Sequence, residues 1–414
     1  MNKGIMKSTL AEYLVSLDTK LMLKQIQLLH LDKYTKKLDS IKLTQLLLFA
    51  QVNQISSLTS LSRKLNETKE LQSEIGIQSI SASQLSRKLR HLEQPFLDAV
   101  LQHCIAQLVR RIGLKKATKQ LGRINLVDSS TITLCLSQYP WALYLPTHAG
   151  VKLHLRLAFV DGLVHPDKAI LTPAKPSDRT QMDNLIELDR DALYIFDRGY
   201  VDYRKFDEYC RGGTRFVTRL RYNTSIAETY ERRTIPQGSP VLRDDVVRIG
   251  SSASRSMTHP TRWIETLDSE GNLIIILTND LTMDAVEIGD LYRRRWQIEL
   301  FFKWIKQHLK VKSMYGKSEN AVFNQLRIAL IAFCLLLLLQ LRVSHNGRVL
   351  LVYRCLQNTW AQPFEVFLRC LNRPPSRSSP GREKMKHAQI FSQTLQQYVD
   401  GDIEHLDDLE YDPV

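Results

Sequence analysis

Ala192-Leu-Tyr-Ile-Phe-Asp-Arg-Gly-Tyr200 is five apolar residues running straight into an aspartate and a turn. A short, unbroken apolar run of this kind is the pattern of a strand buried on both faces of a sheet. Asp197 then stands at the carboxyl end of that strand, where α/β sheets place ligands. Upstream, Ile124-Asn-Leu-Val127 reads as another strand, ending in Asp128. Val151-Lys-Leu-His-Leu-Arg-Leu157 alternates with period two, so it is a half-buried strand. Asp161-Gly162 predicts a hairpin turn, and Leu163 to Leu171 returns as the partner strand. Asp178 to Asp189 and Asp202 to Cys210 read as helices, and Thr214 to Arg219 as a further strand.

The order is strand, hairpin strands, helix, strand, helix, strand. It predicts a mixed α/β sheet with an antiparallel start, the order of the ribonuclease-H-like fold. Strand-like pieces at Val246 to Ile249, Arg262 to Thr266 and Leu273 to Leu277 predict a β-rich insertion. Helices are expected from about Met283 to Leu309, from Asn320 to Arg342, and once or twice between Val349 and Leu371. The expected organisation is a helical DNA-binding region at 1–120 and a catalytic core at 121–219 and 286–345. The β-strand insertion occupies 220–285, C-terminal helices 346–373, and a basic linker with an acidic tail 374–414.

Length and charge narrow the partners. A chain of 414 residues suits two or three domains. Its 57 Lys and Arg against 43 acidic groups leave a formal charge of +14, which suits a polyanion. Residues 1–127 carry 20 Lys and Arg against 9 Asp and Glu, so the excess lies mostly in the helical third. There, Ser81-Ala-Ser-Gln-Leu-Ser-Arg-Lys-Leu-Arg-His-Leu92 starts with capping-type serines. It sets Arg87, Lys88 and Arg90 beside a stripe of Leu85, Leu89 and Leu92, as a DNA-recognition helix would. A solvated basic face on a bundle helix has the same composition. The greasiest run, Ile328 to Leu339, has twelve residues. A membrane span needs about 20, so a buried core helix is expected. With six cysteines in no finger-like spacing, this predicts a cytoplasmic, nucleoid-associated chain that meets nucleic acid and no membrane.

The candidate chemistry gathers on Tyr292-Arg-Arg-Arg-Trp-Gln-Ile-Glu-Leu-Phe-Phe-Lys-Trp-Ile-Lys306. At about 100° per residue from Tyr292, Arg295 falls near 300°, Glu299 near 340° and Lys306 near 320°. Leu291, Ile298, Phe301, Phe302 and Ile305 lie on another face. A salt-bridged surface would look similar, because Arg295, Glu299 and Lys303 are spaced i, i+4, i+8. The functional reading is that Glu299 binds a metal while Arg295 and Lys306 hold phosphates and Tyr292 hydrogen-bonds one. Asp128 and Asp197 complete a set of three carboxylates from two strands and a helix. Such a hard-oxygen site suits two Mg²⁺ ions, or Mn²⁺ in their place, in phosphodiester transfer. His154 is expected at the surface, and Asp178, Asp183, Asp189 and Asp191 as helix-cap or helix-surface charges.

The spacing Tyr292-x2-Arg295-x3-Glu299-x6-Lys306 resembles the YREK signature of the insertion sequence 4 family of bacterial DDE transposases. Asp197-Arg-Gly-Tyr200 resembles that family's second-aspartate motif, and the 102 residues from Asp197 to Glu299 leave room for its β insertion. The resemblance covers about residues 120–340. It implies that Asp128, Asp197 and Glu299 form the catalytic triad, with Tyr292, Arg295 and Lys306 gripping phosphates of the transposon end. It implies cleavage at the ends, attack of the freed 3′-hydroxyl on target DNA, and a homodimer synapsed on two ends whose terminal inverted repeats the N-terminal region reads. An aromatic side chain of the insertion, with Trp263 the candidate, would stack on a displaced base. The competing readings are a catalytically silent DNA-binding protein of transposase origin and a nuclease of the same fold that cuts without joining.

Overall fold

The computed structural model describes residues 7–113, 123–160, 163–235, 237–251, 256–267 and 271–373. The Asp161-Gly162 turn and the 374–414 linker and tail lie outside the described residues. Seven helices come first: α1 Thr9–Leu14, α2 Thr19–Leu28, α3 Ser40–Val52, α4 Leu58–Glu67, α5 Lys69–Ile75, α6 Ala82–His91 and α7 Gln94–Gly113. Then follow β1 Arg123–Leu134, β2 Leu143–Leu145, β3 His148–Val160, β4 Leu163–Pro173, α8 Met182–Leu185, β5 Ala192–Phe196, α9 Tyr203–Gly212 and β6 Arg215–Leu220. The insertion supplies β7 Ile226–Arg232, β8 Val241–Ile249, β9 Thr261–Leu267 and β10 Leu273–Thr278. The last helices are α10 Ala285–Arg293, α11 Trp296–His308, α12 Glu319–Arg342, α13 Val349–Thr359 and α14 Phe364–Leu371.

Contacts divide the described residues into two units, one within 7–111, 135–141 and 301–373, the other within 112–134 and 142–300. Residues 301–345 thus pack with the N-terminal helices rather than with the sheet, unlike the linear boundary expected for the core.

In the helical unit, α12 is apolar all round and wholly buried along its apolar window, although it is long enough to cross a membrane. Its polar groups are satisfied by neighbours: Asn324 Nδ2 donates to Leu92 O at 2.6 Å, and Arg327 pairs with Asp98. α6 opens on a capping box in which the Ser81 side chain and Gln84 satisfy each other's backbone N–H groups. Leu85 and Leu89 are buried, so its apolar stripe faces the bundle as expected.

In the other unit a single mixed sheet runs in the order β2-β3-β1-β5-β6-β10-β9-β8-β7, with β4 on β3. β1 and β3 are antiparallel, β1–β5 and β5–β6 parallel, and the insertion strands extend the same sheet antiparallel from β6. β5 is buried at every position, as its unbroken apolar run requires. β7 was absent from the sequence reading because it shows no apolar alternation. It is an edge strand of exposed and charged residues, which discourages further pairing.

Two helices expected here differ. The segment from Asp178 holds a short 3-10 turn, Asp178–Gln181, and the single turn α8. It lies across the polar side of β3, where Arg156 Nη1 donates to Leu185 O at 2.8 Å. That cover buries His154 fully and Arg156 almost fully, so His154 is not a surface residue. The long helix from Met283 to Leu309 is broken at Arg294 and Arg295 by three-residue hydrogen bonds. Arg295 N donates to Tyr292 O at 3.0 Å and Ile298 N to Arg295 O at 3.1 Å, so the even winding expected does not hold there.

Behind β5, Phe196, Phe206 and Phe216 stack, with the Phe206 and Phe216 centroids 4.6 Å apart. Phe206→Ala should destabilise the sheet unit by about 3–5 kcal/mol. A urea unfolding midpoint unchanged from the parent would contradict that packing role.

Candidate active site

The register of two parallel strands builds the site. The β1–β5 pairing ends at Val127↔Phe196. Asp128 and Asp197 are the next residues of each strand, and adjacent strands lie about 4.8 Å apart. Asp128 does not end its strand as the sequence reading had it. β1 continues to Leu134, paired only with β3, and Asp128 faces Leu155 in that ladder. The sheet therefore forks at the two aspartates.

Each carboxylate is held locally. Asp128 Oδ1 accepts from Ser129 N at 2.7 Å. Asp197 caps the 3-10 turn Arg198–Tyr200 by accepting from Gly199 N, and a Cβ at Gly199 would come within 3.0 Å of Asp197 Oδ1. The small residue is what lets the turn fold back on the carboxylate.

Glu299 comes from the first turn of α11. Arg295 joins it to the strands: Nη2 lies 2.6 Å from Glu299 Oε1, and Nη1 3.4 Å from Asp128 Oδ2. The guanidinium also stands 5.7 Å from the centre of the buried Tyr292 ring. Arg295 Nε is buried without a hydrogen-bond partner.

Burial pushes the Asp128 carboxyl up to about 7, against the opposing pull of Arg295, and Asp197 and Glu299 push it further the same way. Burial likewise raises Glu299, with Arg295 opposing. Burial also raises the Tyr292 phenol. The raised Asp128 shows three carboxylates within electrostatic reach of one another. Among the described residues no three carboxylate, histidine or cysteine groups stand in a metal-holding arrangement. The donors are nevertheless all hard oxygens, and their mutual repulsion is what a divalent cation would relieve.

The other expected residues fall as follows. Lys306 is on α11, seven residues beyond Glu299, and its contacts place it in the helical unit. On α6, Arg87 and Arg90 are exposed, whereas Lys88 is tied to Asp32. Trp263 corrects the expectation of a stacking residue. It is 3% exposed in the core of the sheet unit, and its Nε1 donates to Glu265 at 2.8 Å. Asp178, set aside as a surface charge, lies 2.9 Å from Lys152 Nζ and 3.8 Å from His154 Nδ1. Burial lowers His154 to about 4. Only the alternation of Lys152, His154 and Arg156 could have pointed to that buried polar patch, and it reads equally as a solvated face.

Residues 119–335 match the family model described as the transposase DDE domain. A chain named as a transposase, y4zB, from Sinorhizobium fredii is 34% identical over 59% of this chain and 70% of its own length. One from Geobacillus stearothermophilus, named for insertion sequence element IS5377, is 29% identical over 63% and 68%. One from Synechocystis, named for element IS4SA, is 23% identical over 58% and 67%. Among solved structures, the cryo-EM structure of the piggyBac transposase synaptic complex with hairpin DNA aligns at a TM-score of 0.42 and 11% identity, over 94% of this chain and 90% of that one.

The raised Asp128 has a consequence for stability. A carboxyl whose folded value lies above its unfolded one binds more protons in the folded state, so stability falls as pH rises from about 4 to 7. In metal-free buffer Asp128→Asn should therefore be more stable than the parent at pH 7.5, with the gap closing by about pH 4. Thermal melts across that range test this, and a variant less stable at pH 7.5 would count against it.

Proposed function

The chain belongs to the DDE transposases of bacterial insertion sequences, and we propose that Asp128, Asp197 and Glu299 are the residues with which it cuts the ends of its element and joins them to target DNA. It is a DNA transposase. The observation that carries the site assignment is the register Val127↔Phe196, which sets the two aspartates side by side, with Glu299 linked to Asp128 through Arg295. The sheet order β4-β3-β1-β5-β6, three antiparallel strands followed by two parallel ones, supports a ribonuclease-H-like core.

The three carboxylates would hold two Mg²⁺ ions, or Mn²⁺, which when bound supply an activated attacking hydroxyl and a stabilised leaving oxygen. Arg295 contributes a guanidinium suited to a bidentate grip on phosphate, with its Nε–H still unpartnered. Tyr292 underlies that guanidinium and limits where it can swing. Lys306 adds a point charge for the held DNA end. The exposed Arg87 and Arg90 of α6 would contact the terminal inverted repeat, in a homodimer synapsed on two ends. A silent DNA-binding relative would be expected to lack one carboxylate, and all three are present.

Incubation with DNA spanning the element boundary and Mg²⁺ tests the reading on a denaturing gel. A nick at the boundary is expected, lost by at least about a hundredfold in Asp197→Ala and Glu299→Gln. Both variants should still bind the end DNA. Normal cutting by Glu299→Gln would remove Glu299 from the triad, and metal-dependent cutting at random positions would favour a nuclease.

For the N-terminal region, Arg87→Ala and Arg90→Ala should each lower the log–log salt slope of duplex binding by about 1. Unchanged slopes would place the DNA contact elsewhere.

A further inference from the structure

Beside the Asp197 turn, the sheet unit holds a cleft of about 620 Å³. Its walls include Arg179, Arg198 and Arg221, together with Asn223, Thr224 and Ser225. The three arginines come from separate segments: the 3-10 turn after β4, the turn after β5, and the link from β6 to β7. Arg179 is half exposed, with Nε 3.7 Å from Asp202 Oδ2. Among the described residues no carboxylate pairs with Arg198 or Arg221. Next to Arg221 in the chain, Tyr222 is 88% exposed.

We propose that this cleft binds a single-stranded segment of DNA, with phosphates on Arg198 and Arg221 and a base stacked on Tyr222. Uncompensated guanidiniums converging on one concavity select a polyanion, and the amide and hydroxyl groups beside them are the further donors that phosphate and sugar oxygens accept from. The volume is that of a small-molecule pocket, which admits a nucleotide or two and excludes a duplex. A ring so exposed adds nothing to the core, and it can stack only on a base whose face is free of its neighbours. Arg198 directly follows Asp197, so a strand lying in the cleft continues from the carboxylates at the end of β5. The choice of DNA as the nucleic acid rests on the transposase reading.

The test is fluorescence anisotropy with the full chain in EDTA, using a labelled oligo-dT of about a dozen nucleotides and a duplex of the same length. Tyr222→Ala should weaken oligo-dT binding about fivefold or more and leave duplex binding within about twofold. Arg221→Ala should lower the oligo-dT salt slope by about 0.7. Arg211→Ala, an equally exposed charge at the end of α9, controls for net charge and should change neither. Parent-like oligo-dT binding by both cleft variants overturns the proposal. So does a loss as large in Arg211→Ala, or an equal loss on duplex and single strand. No cleavage enters this assay. Boundary nicking without any effect here would sink the cleft alone, and a cleft effect in a chain that never nicks would sink the transposition chemistry alone.

Discussion

Two aspartates on adjacent parallel strands, with a glutamate brought to them by a helix, repel one another in a partly buried site. The fold answers with one guanidinium, Arg295, placed between Asp128 and Glu299. The Val127↔Phe196 register, the break between α10 and α11 and the Tyr292 ring beneath the guanidinium all bear on that placement. The compensation is incomplete, since the Asp128 carboxyl remains raised to about 7. The site is thus a place where stability is given up to keep charge concentrated, as catalytic carboxylate sites are.

Much of this was legible in the residues. β5 announced itself because a strand covered on both faces cannot hide its apolar run. Asp197 followed because chain direction sets which end of such a strand carries ligands. The Tyr292 to Lys306 spacing was readable because helix geometry converts offsets into faces. What escaped had a physical reason in each case. His154 and Arg156 alternate with leucines as a solvated face would, and only the cover provided by Asp178–Leu185 reverses that. β7 carries no apolar periodicity because an edge strand needs none. Trp263 could stack on a ligand or fill a core by composition alone, and packing chose the core. The break at Arg294 and Arg295 leaves no proline or glycine to mark it.

The extension of the core sheet by β10, β9, β8 and β7 bears on how the insertion works. Because β10 pairs with β6 over Thr278↔Val217 to Ile275↔Leu220, the insertion is anchored through the ladder that also positions β5. The link from β6 to β7, which carries Arg221 and Tyr222, therefore leaves the sheet two strands from Asp128. An insertion attached in this way can shape the surroundings of the carboxylates while leaving the strand pair that carries them unaltered.

The fork of the sheet at Asp128 separates two demands that usually conflict. Along its β3 edge β1 is laddered for eleven residue pairs, from Ile124↔Phe159 to Leu134↔Ala149, so the Asp128 backbone is fixed by neighbours on both sides in sequence. On its other edge the ladder ends one residue earlier, and main-chain groups beyond Val127 have no partner from β5. One edge of a single strand thus serves as a rigid mount while the opposite edge opens as a doorway. The aperture at the reacting carboxylates is set by where a neighbouring strand stops, and its width could change through the length of β5 alone, with no change to the residues that do the chemistry.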